Sequence, residues 1–274
     1  MLVKDVREFR SMPVRGLDNQ VVWKFNQMKP GVLVSIADLD IARGDGLMPY
    51  LQKSAKNALQ RYIEKYKQRL TINNAYRSII VQTLFWNNRN LAGGLVAYPG
   101  KSDHGNGAAI DINEWESQKT NLINAGWHWS YGRRDAMHFD WIDGIESIKD
   151  DTVKAFQALW NEANPKSAIA VDGLCGSTTI KCIEDSPAEG FPDLACGRVL
   201  RLTAPMQTGN DVSRLQKALI STGINFNSDG IFGLETDKAV KQFQSANNLF
   251  VDGIISVGGE TATKLKLTPG SLIS

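Results

Sequence analysis

Two short motifs constrain this chain more than anything else in it. Ser102-Asp103-His104-Gly105-Asn106-Gly107-Ala108-Ala109-Ile110-Asp111 is followed by Asp135-Ala136-Met137-His138-Phe139-Asp140-Trp141, and together they hold two of the chain's three histidines. Gly105 and Gly107 work against a helix, since each glycine costs about 1 kcal/mol in a helix interior, and they permit the positive φ of a tight loop. Ala108 to Asn113 then reads as a short buried strand carrying Asp111. In 137–141 large apolar residues alternate with polar ones, the period of a half-buried strand. That puts His138 and Asp140 on one face and turns Met137, Phe139 and Trp141 into the core. Two neighbouring strands and a glycine loop can thus bring His104, Asp111 and His138 to one point. Imidazole and carboxylate are the usual protein ligands of a catalytic zinc, three of them, with the fourth position left to water. These three residues are expected to be zinc ligands, and Asp135, three positions before the last of them, is placed to act as a base.

Each residue also has a plain structural reading. A lone histidine is more often a hydrogen-bonded structural residue than a ligand. Asp111 could simply cap a turn, although an acid within an Ala/Ile strand needs a partner, which a metal supplies. Asp135 also reads as a surface acid beside Arg133 and Arg134, and Arg77 as half of a salt bridge. His128, in Gly126-Trp127-His128-Trp129, reads as packing or the edge of a groove. The chain has no Ser or Cys nucleophile motif with a spare histidine, so hydrolysis without a covalent intermediate is the expected chemistry.

The pattern Ser-x-His-x-x-Gly-x-Ala-x-Asp (SDHGNGAAID), with Asp/Glu-x-x-His (DAMH), resembles the zinc D-alanyl-D-alanine carboxypeptidases. That family extends to VanY- and VanX-type dipeptidases and the L-alanyl-D-glutamate endopeptidases of phage lysins. Asn74-Ala75-Tyr76-Arg77-Ser78-Ile79-Ile80-Val81-Gln82 matches the family's Tyr-Arg-Ser/Thr-x-x-x-Gln stretch, and the resemblance runs over about residues 30 to 145. It implies that His104, Asp111 and His138 hold Zn2+ and that Asp135 is the general acid/base. It further implies that Arg77 stabilises an oxyanion or anchors a substrate carboxylate, and that Ser102 and Gln82 line the substrate site. Many members carry Glu where this chain has Asp135, a methylene shorter, so the backbone must approach the site more closely. Lysostaphin-like endopeptidases, a rival class, would need a His-x-His pair near the last ligand, where this chain has Met137-His138-Phe139-Asp140. The bond cut stays open: terminal D-Ala-D-Ala, L-Ala-D-Glu and the interpeptide crosslink all suit the same residues. A catalytically silent zinc domain that only binds wall is the other class of reading.

The remainder of the chain contains a repeat. Asp229-Gly230-Ile231-Phe232-Gly233-Leu234-Glu235-Thr236 is echoed by Asp172-Gly173-Leu174-Cys175-Gly176-Ser177-Thr178-Thr179, and more loosely by Asp252-Gly253 reaching Thr261. Helical pieces precede each copy: Val153-Lys154-Ala155-Phe156-Gln157, Val212-Ser213-Arg214-Leu215-Gln216 and Val240-Lys241-Gln242-Phe243-Gln244. Val212, Leu215 and Leu219 keep helical spacing and are expected to face a small core. An Asp-Gly turn ahead of Thr reads as a tight turn feeding a helix N-terminus. Residues 205–267 resemble the three-helix peptidoglycan-binding module of bacterial wall hydrolases, and 147–185 a diverged copy in which Cys175 replaces an aromatic or aliphatic residue. The expected architecture is an α+β zinc peptidase domain with a small antiparallel sheet (1–146), a partial repeat and linker (147–204), and a C-terminal all-α three-helix wall-binding domain (205–274).

A length of 274 residues suits about two domains, and 42% apolar content fills real cores. A net charge of +2, from 31 basic and 29 acidic residues, shows no general bias towards nucleic acid. Leu51, Ala55, Leu59, Tyr62, Tyr66 and Leu70 approximate a helical apolar stripe, so the lysines around them form a solvated face. The coarse reading is helix 49–68, a strand near 70–73, helix 78–89 and then the two metal-bearing strands. Cys175, Cys182 and Cys196 lack metal-site spacing; either a Cys182–Cys196 disulfide worth about 3 kcal/mol or buried free thiols fit, and 186–193 reads as linker. The first ten residues lack a signal-peptide apolar run, and no stretch is long enough to cross a membrane. The expected partner is peptidoglycan, without nucleic acid or membrane insertion, for a monomer made in the cytoplasm and released in the manner of a phage endolysin or exported by another route.

Overall fold

The computed structural model describes residues 1–93, 95–192, 197–256 and 259–267. It is a mixed α/β structure with small sheets. Helix α1 (Arg15–Met28) is absent from the sequence reading; it buries Leu17, Val21, Val22 and Phe25. Strand β1 (Leu33–Ser35) pairs antiparallel with β3 (Tyr50–Gln52). The larger sheet runs β2 (Ala42–Arg43), β4 (Thr71–Asn74), β5 (Ala109–Ile112), β6 (His138–Asp140) in that order. β4, β5 and β6 are antiparallel neighbours, but β2 lies parallel to β4, so the sheet is mixed where an antiparallel one was expected. The reason is connectivity. The chain leaves β2, passes through β3 and α2 (Lys53–Tyr66), and re-enters beside β2 in the same direction, as a crossover requires.

The expected stripe on α2 is the core of this half. Leu51, Ala55, Leu59, Tyr62 and Leu70 are buried with Ile72, Ile110, Ile112, Trp127, Phe139 and Trp141, and Tyr66 is half-buried. The helix begins at Lys53 rather than 49 because Tyr50–Gln52 is spent on pairing with β1. α3 (Ile79–Asn87) starts where Ser78 Oγ accepts from the Ile80 and Val81 amides, at 3.1 and 3.5 Å, satisfying orphan donors of its first turn. α4 (Trp115–Asn124) packs beside α2. Of the triad expected in the core around His138, Phe139 and Trp141 are buried and Met137 is half-buried.

α5 (Lys149–Ala163) and α6 (Ser177–Glu184) carry the first copy of the repeat; α7 (Asn210–Ser221), α8 (Leu234–Ala246) and α9 (Glu260–Lys264) carry the other two. Val212, Leu215 and Leu219 are buried with Phe232, Val240 and Ile255. α5 and α6 do not join that core. They pack on α1 and α3, sharing one apolar cluster of Val14, Leu17, Phe25, Ile80, Leu84, Phe156, Leu159 and Ile183.

One hydrogen-bonded clamp recurs in all three copies. Gln157 Nε2 reaches Asp172 Oδ1 at 2.8 Å and Thr179 Oγ1 at 3.1 Å, while the Gly173 amide donates to Gln157 Oε1 at 2.9 Å. Gln216 does the same with Asp229 (2.8 Å), Thr236 (2.9 Å) and the Gly230 amide (2.8 Å). Gln244 repeats it with Asp252 (2.8 Å), Thr261 (3.2 Å) and the Gly253 amide (2.9 Å).

The stretch read as linker is held down over its described part. The Val3 amide donates to the Ser186 carbonyl at 3.0 Å, Ala188 to Met1 at 2.9 Å, and Leu17 to Ala188 at 3.2 Å. Gln20 donates to the Phe191 and Gly197 carbonyls and accepts from the Phe191 amide. Its Ser/Pro/Gly composition describes an irregular backbone, not an exposed one. Among the described residues Cys175 and Cys182 are free thiols; Cys196, the other half of the considered bridge, lies outside them. No helix among the described residues is long and apolar enough to cross a membrane.

Candidate metal centre

The strand register delivers the first two residues. Asp111 on β5 stands opposite His138 on β6, and Asn74 on β4 stands opposite Asp111. His104 arrives from the single turn Asp103–Asn106, which ends at Gly107 with φ +63°. Of the two glycines expected to relieve this loop, Gly107 is the one with positive φ, and a Cβ there would also meet Leu33 at 2.5 Å. The loop is pinned by the Gln52 amide donating to Gly107 O at 2.7 Å and the Arg77 amide to His104 O at 3.1 Å.

Three ligand-type atoms converge. His104 Nε2 and His138 Nδ1 each lie 3.1 Å from Asp111 Oδ1 and 3.2 Å from one another. Their remaining atoms are tied off. His104 Nδ1 lies 2.8 Å from the Ala75 carbonyl, which can only accept, so this nitrogen carries the hydrogen. His138 Nε2 meets Asp140 Oδ1 at 2.8 Å. Asp111 Oδ2 accepts from Asn74 Nδ2 at 2.9 Å and faces Arg77 Nη2 at 3.5 Å. With both imidazoles neutral, Nε2, Nδ1 and Oδ1 present lone pairs to one another, an arrangement that needs a cation or a proton between them. Ligands at about 2.0–2.1 Å from a tetrahedral ion stand roughly 3.3 Å apart, so the donor set fits a metal in size as well as in chemistry. A second grouping of Asp103, His138 and Asp140 shares His138, but there Asp103 is engaged by Tyr131 and by Lys149 Nζ at 3.1 Å.

Electrostatics follow the same geometry. Burial opposes ionisation of Asp111, yet His104, His138 and Arg77 hold its carboxyl well below the usual range. Burial opposes charge on His138, but hydrogen bonds to Asp111 and Asp140 outweigh it and push the imidazole up to about 10. Partial burial and the nearby Asp111 push the Asp135 carboxyl above its ordinary value, against His138, His104 and Arg77.

The cluster opens into a cleft of about 730 Å³, where Arg77, Ser102, Tyr131, Asp135, Phe9 and Phe85 also contribute to the wall. Asp135 is exposed at the end of the turn Gly132–Asp135. Arg77 is held by Gln82 Oε1 at 3.3 Å and lies over the Phe85 ring at 5.2 Å. Gln82 itself is buried behind Arg77, donating to the Ala97 carbonyl at 2.6 Å. His128 is exposed and extends the sheet through paired backbone bonds with Asp140 at 2.8 and 2.9 Å. Sequence reasoning did not assign roles to Asn74, Asp140, Tyr131, Phe9 or Lys149. Asp140 was within reach, since it shares the face of His138 by alternation. Phe9, stacked on Phe85 at 4.2 Å, and Lys149 come from distant chain with no local signal.

Residues 48–142 match the D-alanyl-D-alanine carboxypeptidase family, and residues 208–265 match a family of peptidoglycan binding domains. Both resemblances drawn from the motifs are thereby shown. The chain is also similar to the N-acetylmuramoyl-L-alanine amidase CwlL of Bacillus licheniformis, 31% identical over 136 residues, covering 44% of this chain and 36% of that protein. A probable N-acetylmuramoyl-L-alanine amidase of the same organism is 29% identical over 134 residues, covering 43% and 35%. The chain thus spans about a third of the length of the curated relatives it matches.

Proposed function

We propose that this chain is a zinc-dependent peptidoglycan peptidase that hydrolyses a peptide bond of the wall's stem peptide and is held on the wall by residues 205–274. The observation that carries the proposal is the convergence of His104 Nε2, Asp111 Oδ1 and His138 Nδ1 at 3.1–3.2 Å from one another, each side chain braced from behind. Those three residues would hold the ion. When bound, it supplies Lewis acidity that polarises a carbonyl oxygen and acidifies water.

The chain's own residues account for the remaining chemistry. Asp135, with its carboxyl pushed up, takes a proton from the attacking water and returns it to the leaving amine. Arg77, set in advance by Gln82 and Phe85, faces the charge that develops on the scissile oxygen. A fixed donor of that kind is worth about 3–4 kcal/mol. Ser102 lies at the cleft wall, in position to contact substrate, and Gln82 acts through Arg77 as a positioning residue. Tethering through 205–274 raises the local concentration of wall peptide at the cleft, which places the site of action at the bacterial cell wall.

The test is digestion of purified peptidoglycan followed by mass spectrometry, with metal content measured on the same protein. New peptide amino termini with about one zinc per chain are expected, and their identity assigns the bond. The relatives' names add the N-acetylmuramoyl-L-alanine amide to the bonds that must be distinguished. Zinc present without any released fragment would replace this proposal with a wall-binding protein whose zinc domain is silent.

A further inference from the structure

The three copies of the clamp differ at one position. After Asp-Gly-x, the second and third copies carry Phe232 and Ile255, both buried in the core between α7, α8 and α9. The first copy carries Cys175 there, in different surroundings. Cys175 faces the turn Tyr98-Pro99-Gly100-Lys101, which is closed by the Lys101 amide donating to Tyr98 O at 2.9 Å, with Gly100 at φ +82°. Pro at the second and Gly at the third position give a type II turn. A Cβ on Gly100 would stand 3.2 Å from Cys175 Cβ, so the turn and the first copy approach each other closely here. This turn leads directly into Ser102-Asp103-His104. The first copy has therefore been docked against the cleft, while the other two pack on each other.

Between the turn and the Asp-Gly loop runs a groove of about 280 Å³ walled by Tyr98, Lys101, Lys149, Val153, Leu174 and Cys175, with Asp150 also lining it. Lys101 lines both this groove and the metal cleft and so stands at their shared border. Lys149 is paired with Asp103, whereas Lys101 is exposed and, among the described residues, unpaired. Leu174 projects from the loop with 67% of its surface exposed.

The geometry points to a substrate subsite in this groove, in which Lys101 receives a carboxylate of the stem peptide and Leu174 and Tyr98 cover the adjoining apolar stretch. This rests on the peptidase reading given above. Lys101 lines both hollows and has no salt-bridge partner among the described residues, so an anionic group on the cleft's own substrate is the occupant that fits their shared border.

Two stem peptides identical except that the glutamyl carboxylate is free or amidated provide the test. Binding is followed by NMR titration on zinc-loaded D135N protein, so that the peptides stay intact, and hydrolysis by the wild type is measured separately. The free acid is expected to bind about fivefold more tightly, the scale of one partly screened ion pair. K101E should abolish or invert that preference, and L174D, at an exposed loop position, should weaken the acid more than the amide. Metal content and melting temperature serve as controls for folding. Equal affinity for the two peptides, or a preference that survives K101E, overturns the subsite. Wild type that hydrolyses neither peptide, nor peptidoglycan, counts against the peptidase reading alone, because the titration still decides the subsite.

Discussion

Both nitrogens of His138 face a carboxylate, Asp111 at 3.1 Å and Asp140 at 2.8 Å. Asp140 orients the ring and fixes its tautomer, so D140N should weaken zinc binding by about 10–100-fold, read by competition with a chelator, whereas H138A should abolish it. The metal-free protein has a pH signature. A folded-state value of about 10 against an ordinary 6.5 means that His138 contributes stability fully present below pH 6.5 and lost as pH rises through 10. The melting temperature of chelated protein should therefore fall across that window, and a flat profile would contradict the geometry. D135N should keep its metal and lose about 10²–10⁴ in turnover; full activity in that variant would remove Asp135 from the reaction. The gathering of His104, Asp111 and His138 was legible because glycine punctuation and strand alternation are local signals. The burial of Gln82 behind Arg77 was not, since it depends on where Ala97 passes.

The clamp explains why Gln, Asp-Gly and Thr recur at matched spacing. Gln216 is buried, and its amide serves Asp229, Thr236, the Ile231 carbonyl and the Gly230 amide together. Q216A would leave several of these groups buried without partners, at about 1–3 kcal/mol each. A loss of at least 2 kcal/mol is expected in urea unfolding, with Q244A behaving alike; a near-neutral result would show that water replaces the amide readily. Helical stripes such as that of α2 were readable from spacing alone. Where α2 begins was not, because Tyr50–Gln52 obeys a partner strand seventeen residues earlier rather than its own propensity.

The N-terminal segment, α1, α3, α5, α6 and the 186–191 stretch form one packed body. Gln20 is its fastening: Q20A would strand the Phe191 amide and two carbonyls, and about 2–4 kcal/mol of destabilisation is expected by denaturant titration. The same body supplies Phe9 to the cleft and, through Lys149, holds Asp103 beside Tyr131. The repeat's first copy is thus structurally part of the cleft's surroundings, a relation invisible in composition, which marked the same residues as a partial repeat and a linker.

Motifs, strand alternation and helical stripes already contained the convergence of His104, Asp111 and His138, the core of α2, and the helices around the Asp-Gly loops. These are short-range patterns, and the chemistry of glycine, imidazole and apolar side chains at fixed spacing expresses them wherever the chain goes. The parallel entry of β2, the docking of the first copy against α1 and the cleft, and the side chains that Phe9 and Lys149 bring in came from packing. Those features join residues far apart in the chain through shape and buried area, and no local spacing encodes which surfaces will meet.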